Sequence, residues 1–573
     1  MRFIKKHKRL LLILLVLVLL GVAMLYYLRT SHSDFAASIR SQVRDIIAQL
    51  SAPRPPDPME GLQGVVRSQF YIDNKPVSHT NRKSNSDNKW LIETDSLTRL
   101  IDYTHGYMVD LPIGSTFDFT KSPKYTTVNG DGYEMVISRE RAVGGDVEEY
   151  IDHYQNRFIL SDEFQASHGV YVRENTKLER HERLTAVVEG WPYYDGYTYL
   201  CLKTNSTYYY RIMVKYHKDD QRIPAIIKQI EESFYYFATS GKAVFDLDLH
   251  PVLPTNWTAE TRALYDRITA GDDILWGIYA TDMRNTGIQE TIPSMEEAIG
   301  IPFDVFLVYL HQNHIFPEDF MQHSYENGRI VELTYQMTIS NNTDMYGTAP
   351  MMDLLRDGDS WQIRAFARSA AQWGKPFLFR LNNEMNSDWV CYGGVNNMSD
   401  PDLYVLAWRE VYRIFQEEGA TNAVWIWNPH DRSYPPNGWN SYIAYYPGNE
   451  YVHMFGVTGY NNGTYFLELN GEKWREFDNI YSSIEREYAG LFDAFPWIIT
   501  EFASSSHGGN KAKWIEGMFL NLPKYPKIKV AVWFSAHDYD HRPGYEHIPS
   551  RTYSLDETPQ TLEAFARGRR SLR

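Results

Sequence analysis

Short apolar runs recur through the C-terminal half of the chain, and most pass into a polar or aromatic loop and then a helix-spaced pattern. In order they are ILWGIYA (274–280), FDVFLVYL (303–310), RIVELTYQM (329–337), PFLFRL (376–381), NAVWIWNP (422–429), HMFGVTGYN (453–461), PWIITEF (496–502) and KVAVWFSAHD (529–538). Helical segments such as Leu403–Glu418, Lys473–Tyr488 and Lys511–Leu520 fall between them. Eight strands alternating with helices over ~300 residues predict a (β/α)8 TIM barrel, an α/β fold. An open doubly wound sheet is the alternative, but it would normally carry a Gly-rich nucleotide loop after its first strand. The chain has none there.

The N-terminal half has a different texture. Strand-like runs dominate residues 62–240, among them VVRSQFYI, YEMVISRE, YTYLCLKT and TYYYRIMVKY, with helical candidates at Val147–Arg157 and Ile223–Phe237. This pattern predicts a small α+β domain on an antiparallel sheet, with no catalytic constellation and a binding or positioning role by default. A linker at 241–255 leads into the barrel, and residues 255–570 are expected to fold as a unit with their own core.

At the N-terminus a basic tail (1–9) precedes the uncharged run Leu10–Leu28, about the length that spans a hydrocarbon core. It reads as an uncleaved transmembrane signal anchor, with a cleavable signal peptide as the alternative. The basic flank stays cytoplasmic, which predicts a single-pass protein of the cell membrane with everything after Arg29 external. Residues 29–61 form a stalk: apolar positions at helical spacing over 35–50, then Pro53, Pro55, Pro56 and Pro58 as a semi-rigid spacer.

Composition narrows the partner. A net charge of −15 leaves no basic face for nucleic acid. Aromatic residues make up 15% of the chain, with 42 Tyr and 15 Trp, and such side chains suit stacking on sugar rings. Cys201 and Cys391 fall in different regions, so no disulfide is expected, and no His/Asp/Cys spacing implies a metal or other cofactor.

The candidate chemistry lies at strand ends, where barrels place their functional groups. The fourth run ends in Arg380, Asn382, Asn383, Glu384 and Asn386, and the seventh ends in Glu501. Glycoside hydrolysis needs two carboxyl groups on opposite sides of one scissile bond, one protonated and one ionised. Two strands converging on the barrel mouth supply that geometry. Arg380 would favour ionised carboxylates beside it.

These motifs resemble glycoside hydrolase family 26, a clan A retaining family of mannanases and related β-glycanases. The segment from Arg380 to Trp389 looks like its fourth-strand signature, and Trp425-Ile-Trp-Asn-Pro429 is similar to its fifth-strand motif. Gly456–Asn461 corresponds to its sixth strand and Thr500-Glu501-Phe502 to its seventh. The resemblance covers roughly residues 255–570. It implies Glu384 as general acid/base and Glu501 as nucleophile. It also implies Asn383 bonding the sugar 2-hydroxyl or the nucleophile, Tyr460 aligning Glu501, and Trp533 as the stacking floor of the cleaved sugar's subsite. Trp389 is either a subsite wall or a loop anchor. Two departures weigh against mannan: Asn383 stands where family mannanases commonly have His, and the third run lacks a Trp-His pair.

The resulting expectation is a membrane-anchored, outward-facing retaining endo-β-glycanase, mannanase-like in its site. Its polysaccharide substrate would be an exopolysaccharide of the cell's own envelope, with the synthesis and export machinery as neighbours. A non-catalytic glycan-binding scaffold on a degenerate barrel is the alternative.

Overall fold

The computed structural model describes residues 34–77, 88–143, 146–241, 244–245, 247–271, 273–339, 348–488 and 490–572. The segment Leu10–Leu28, read as a membrane anchor, lies outside these residues. Among the described residues no helix is long and apolar enough to cross a membrane. A helix at Asp34–Ser51 occupies the expected stalk and stops just before Pro53.

All eight apolar runs form parallel strands that close into one barrel. They are β1 (Leu275–Ala280), β2 (Val305–His311), β3 (Ile330–Gln336), β4 (Phe377–Leu381), β5 (Ala423–Trp427), β6 (Met454–Thr458), β7 (Trp497–Phe502) and β8 (Ile528–Ser535). Side chains alternate along each strand between the barrel interior and the helix layer. Leu307, Leu378, Val424, Ile426, Met454, Ile498, Val530 and Val532 fill the interior. Phe379, Trp425, Phe455, Ile499 and Ala531 pack outward against the helices. The interior is tight: a Cβ on Gly456 would meet Ile426 Cγ2 at 2.7 Å, so the sixth strand accepts only glycine there without a shift. Both faces of these strands are buried, which explains why they read as apolar runs rather than as alternating ones.

The N-terminal half holds two antiparallel sheets where the sequence suggested one. A six-stranded sheet runs through Val65–Ile72, Asn88–Thr94, Leu97–Asp102 and Tyr107–Pro112. A seven-stranded sheet is built around Tyr133–Arg141, Tyr208–Tyr216 and Gly196–Lys203. Leu100, Val109, Ile137, Ile212 and Val214 pack between the two sheets, with the helix Ile223–Ser233 sealing one side. The other face of the seven-stranded sheet is covered by the barrel over its central strands. Its Val136, Tyr197, Tyr199 and Met213 join Trp439, Tyr442 and Tyr445 of the barrel in one continuous apolar cluster.

That shared cluster weighs against a barrel that folds alone, because removing the N-terminal half would bare Trp439 and its neighbours to water. A chain of residues 255–573 produced alone should aggregate or melt well below the described whole. Equal melting temperatures for the two in a thermal scan would show that the cluster contributes nothing to barrel stability.

Candidate active site

The site is assembled where β2, β3, β4, β5, β6 and β7 open at their C-terminal ends. Inward alternation on β3 and β4 places Thr334 and Arg380 in the last interior layer below the mouth, with Glu332 one layer deeper, level with Leu378. Arg380 is fully buried. Its guanidinium donates to Thr334 Oγ1 (2.7 Å), Asn428 Oδ1 (3.1 Å) and Glu501 Oε1 (3.2 Å), and its Nε lies 3.2 Å from Glu332. A cation buried this deeply needs such partners, since an uncompensated buried charge is strongly destabilising.

Glu501 reaches this cluster through an irregularity in β7. Ile498 points inward and Ile499 outward, so plain alternation would turn Glu501 toward the helices. The pairing register of β7 shifts against both neighbours between Ile499 and Phe502. A bulge of this kind re-aims one side chain, and here it turns the carboxyl into the mouth. Donors then converge on it. Tyr309 and Tyr460 hydroxyls donate to Oε2, the latter at 3.2 Å. Arg380, Asn383 Nδ2 (3.3 Å) and Thr458 Oγ1 (3.4 Å) donate to Oε1. An ionised carboxylate is acceptor only, and this donor set matches it.

Glu384 sits in a different environment. Its backbone is left-handed (φ 59°), as is that of Asn382 (φ 46°). The turn is fixed by Glu384 N–H donating to Asn428 O (2.8 Å), and by Asn382 Oδ1 accepting from Met337 N–H (2.8 Å). Its carboxyl accepts one side-chain hydrogen bond, from Trp389 Nε1 at 2.9 Å, and lies 3.9 Å from His430 Nε2. Burial is the main force raising its pKa to about 8, and the nearby Glu501 charge adds to it. Burial also lowers the pKa of His430, so that ring is neutral rather than an ion-pair partner. Two carboxyl groups thus meet in one cleft. One is crowded with donors, and the other is held by a single indole and prefers its proton.

The other expected residues fall as follows. Asn383 bridges Glu501 to the pair Gln336 (3.0 Å) and Tyr392 (3.1 Å), which donate to its Oδ1. Trp389 is half-buried and touches His430 edge-on and Tyr434 at a tilt, so it walls the acid side of the cleft while anchoring its own loop. Trp533 is a correction. It is fully buried on the outer face of β8, packed on Phe502, Trp514 and Phe565, and its Nε1 donates to Tyr553 O at 2.9 Å. A one-residue difference in register moves a side chain to the opposite face of a strand, and the inward aromatic is Phe534. Its ring stacks on Tyr279 (4.7 Å) and meets Tyr460 edge-on (6.0 Å).

Sequence reading passed over Glu332, Tyr309, His430 and Phe534. Period-two alternation within β2, β3 and β8 carried the signal for three of them, because Tyr309, Glu332 and Phe534 occupy inward positions. His430 lies three residues past the end of β5. Glu332 is the most unusual. Burial raises its pKa to about 8 despite the Arg380 charge, with Glu501 adding to the rise. Among the described residues no cluster of His, Cys, Asp and Glu is placed to hold a metal ion.

A (β/α)8 barrel with opposed carboxyl groups from β4 and β7 defines a glycoside-hydrolase type of site. The chain resembles Glycosyl hydrolase family 26, whose family model matches residues 359–482, a stretch that includes Arg380, Glu384 and Tyr460 and ends before Glu501. Endoglucanase H of Acetivibrio thermocellus is 30% identical over 253 residues, 43% of this chain and 26% of that protein. Mannan endo-1,4-beta-mannosidase A and B of Caldalkalibacillus mannanilyticus is 27% identical over 185 residues, 30% of this chain and 33% of that protein. Among solved structures, a modular endo-beta-1,4-mannanase from Cellulomonas fimi is 17% identical, with 55% of this chain and 76% of that one covered and a TM-score of 0.41. The chain spans only about a quarter to a third of the length of these two curated relatives. The family match and these relatives support a glycoside hydrolase.

Two outcomes check the site. Trp533→Ala should cost about 3–5 kcal/mol of stability as a core truncation, whereas Phe534→Ala should keep the melting transition and raise KM for a polysaccharide. The reverse pattern in urea unfolding and kinetics would restore Trp533 to the cleft. Glu332 gives the second. The folded state retains a proton that the unfolded carboxyl releases above its ordinary value of 4.5, so this contribution to stability is lost as pH rises through about 8. Glu332→Gln, a neutral isostere, should flatten that decline between 4.5 and about 8. An unchanged slope would mean that Glu332 titrates alike in both states.

Proposed function

We propose that this chain is a retaining endo-β-glycanase acting on a polysaccharide of the mannan or glucan class. The observation that carries the reading is the inequality of the two carboxyl groups. Glu384 is buried with a pKa raised to about 8 and can arrive at neutral pH as an acid. Glu501 faces the same cleft with its oxygens aligned by Tyr309, Tyr460 and Arg380.

The chemistry follows in two steps. Glu501 Oε attacks the anomeric carbon while the glycosidic C–O bond breaks, and Glu384 delivers its proton to the departing oxygen. Water then gives a proton to Glu384 and its hydroxyl to the anomeric carbon, releasing Glu501 and restoring both groups. Two inversions leave the configuration retained. The aromatic wall of Phe534 and Tyr279 supplies the stacking surface first assigned to Trp533. Asn383 in place of a histidine weighs against mannan and toward a glucan-type chain, and the curated endoglucanase relative agrees with that weighting. The apolar run at 10–28 supports anchoring at the cell membrane with the barrel outside. That placement favours an exopolysaccharide of the cell's own envelope, met beside its export machinery.

A direct nucleophile requires the two carboxyl groups to lie ~5–5.5 Å apart, and an inverting enzyme needs ~6.5–9.5 Å for a water. Glu501→Ala should abolish turnover of every glycoside. Glu384→Ala should still release good leaving groups in the first step, and azide should then yield a glycosyl azide of retained configuration. The activity of the intact protein should fall as pH rises through about 8, as Glu384 loses its proton. An azide product of inverted configuration, or activity undiminished well above that pH, would overturn these roles.

A further inference from the structure

The loop that follows Glu384, residues 385–400, is held from outside the barrel. Met398 and Ser399 are both left-handed (φ 54° and 47°) without being glycine. Consecutive residues in that region persist only where their surroundings over-determine them. The surroundings here are side chains of the seven-stranded N-terminal sheet. Tyr199 Oη donates to Met398 O, and Arg211 Nη2 donates to Ser399 O at 3.0 Å. Arg211 is itself fixed: it is buried, its Nε donates to Gln155 Oε1 at 2.8 Å, and its guanidinium lies 4.7 Å from the Trp439 ring.

The inner edge of the same loop touches the reacting groups. Asn396 Nδ2 donates to Val390 O (2.9 Å) and Asn397 Nδ2 to Cys391 O (2.8 Å), tying the sheet-held end to the stretch 389–392. Within that stretch Trp389 bonds the Glu384 carboxyl, and Tyr392 bonds Asn383, which in turn bonds Glu501. The loop after β5 is held likewise, with Gly438 N–H donating to Glu140 Oε2 of the same sheet at 2.6 Å.

We propose that the seven-stranded sheet is a positioning element of the active site, with Tyr199 and Arg211 setting the loop that aims the Glu384 acid. This rests on the glycanase reading for its kinetic consequence and on geometry alone for its structural one. Tyr199 and Arg211 touch no substrate and act through Met398, Ser399 and Trp389. The sheet is therefore part of the reaction's scaffold rather than a detachable binding module.

The test uses the full chain with Tyr199→Phe, which removes one hydroxyl, and Arg211→Met and Arg211→Lys. The values of kcat/KM for a polysaccharide and for an aryl glycoside with a good leaving group separate acid catalysis from general damage, because only the former needs a proton from Glu384. Tyr199→Phe and Arg211→Met should lower the polysaccharide value about tenfold, as expected for a misplaced catalytic group. The aryl value should stay within about twofold, since its leaving group needs little protonation. Arg211→Lys should recover part of the loss. Amide exchange over 385–400 should accelerate in Tyr199→Phe, a readout independent of any turnover. Equal losses on both substrates, or unchanged exchange and unchanged rates, would overturn the proposal. If the intact protein cleaves no glycoside, the glycanase reading fails and the exchange measurement alone decides the positioning.

Discussion

The guanidinium of Arg380 is the contact on which the barrel mouth depends. It carries a full charge shut off from bulk solvent, so the strands nearby must deliver acceptors or the fold loses several kcal/mol. Thr334 and Glu332 come from β3, Asn428 from the end of β5 and Glu501 from β7. Three crossings of the barrel are thereby brought to one point, and the bulge in β7 becomes necessary, because only a turned-in Glu501 completes the set. Replacing Arg380 would leave carboxyl groups buried without a counter-charge. The same interaction serves as structural clamp and as the floor of the site.

Charge arithmetic around that floor explains the division of labour. Glu332, Glu384 and Glu501 share one buried cation, and three negative charges could not be held there against a single positive one. Glu332 and Glu384 both shift toward their protonated forms, chiefly through burial, with the Glu501 charge adding to each. Glu332 lies below the cleft and Glu384 faces it, so one proton is stored and the other is positioned for transfer.

Much of the barrel was legible because strands buried on both faces read as uninterrupted apolar runs, and each of the eight matched one. The ends of β4 and β7 were legible because carboxyl and amide side chains closing an apolar run are costly unless they have a use. Alternation inside the runs was less visible. Trp533 and Phe534 are adjacent aromatics, and nothing in composition says which faces the cleft until the pairing of β8 with β1 fixes the phase. Glu332 was hidden for the same reason, as one polar letter in an apolar stretch. In the N-terminal half, TYYYRIMVKY read as an ordinary strand. Its Arg211 and Lys215 are buried, and charged residues inside a strand with no solvent face signal a second packing partner. Here that partner is the barrel.

The left-handed backbone at Glu384 carries a cost for the protein as a whole. A side chain with a Cβ at φ 59° is disfavoured by about 1–2 kcal/mol, and its carboxyl is largely withdrawn from solvent besides. Glycine at that position would relieve both burdens and remove the acid. A chain optimised for robustness alone would be sturdier and inert there, so the glutamate marks a position where working and lasting are opposed.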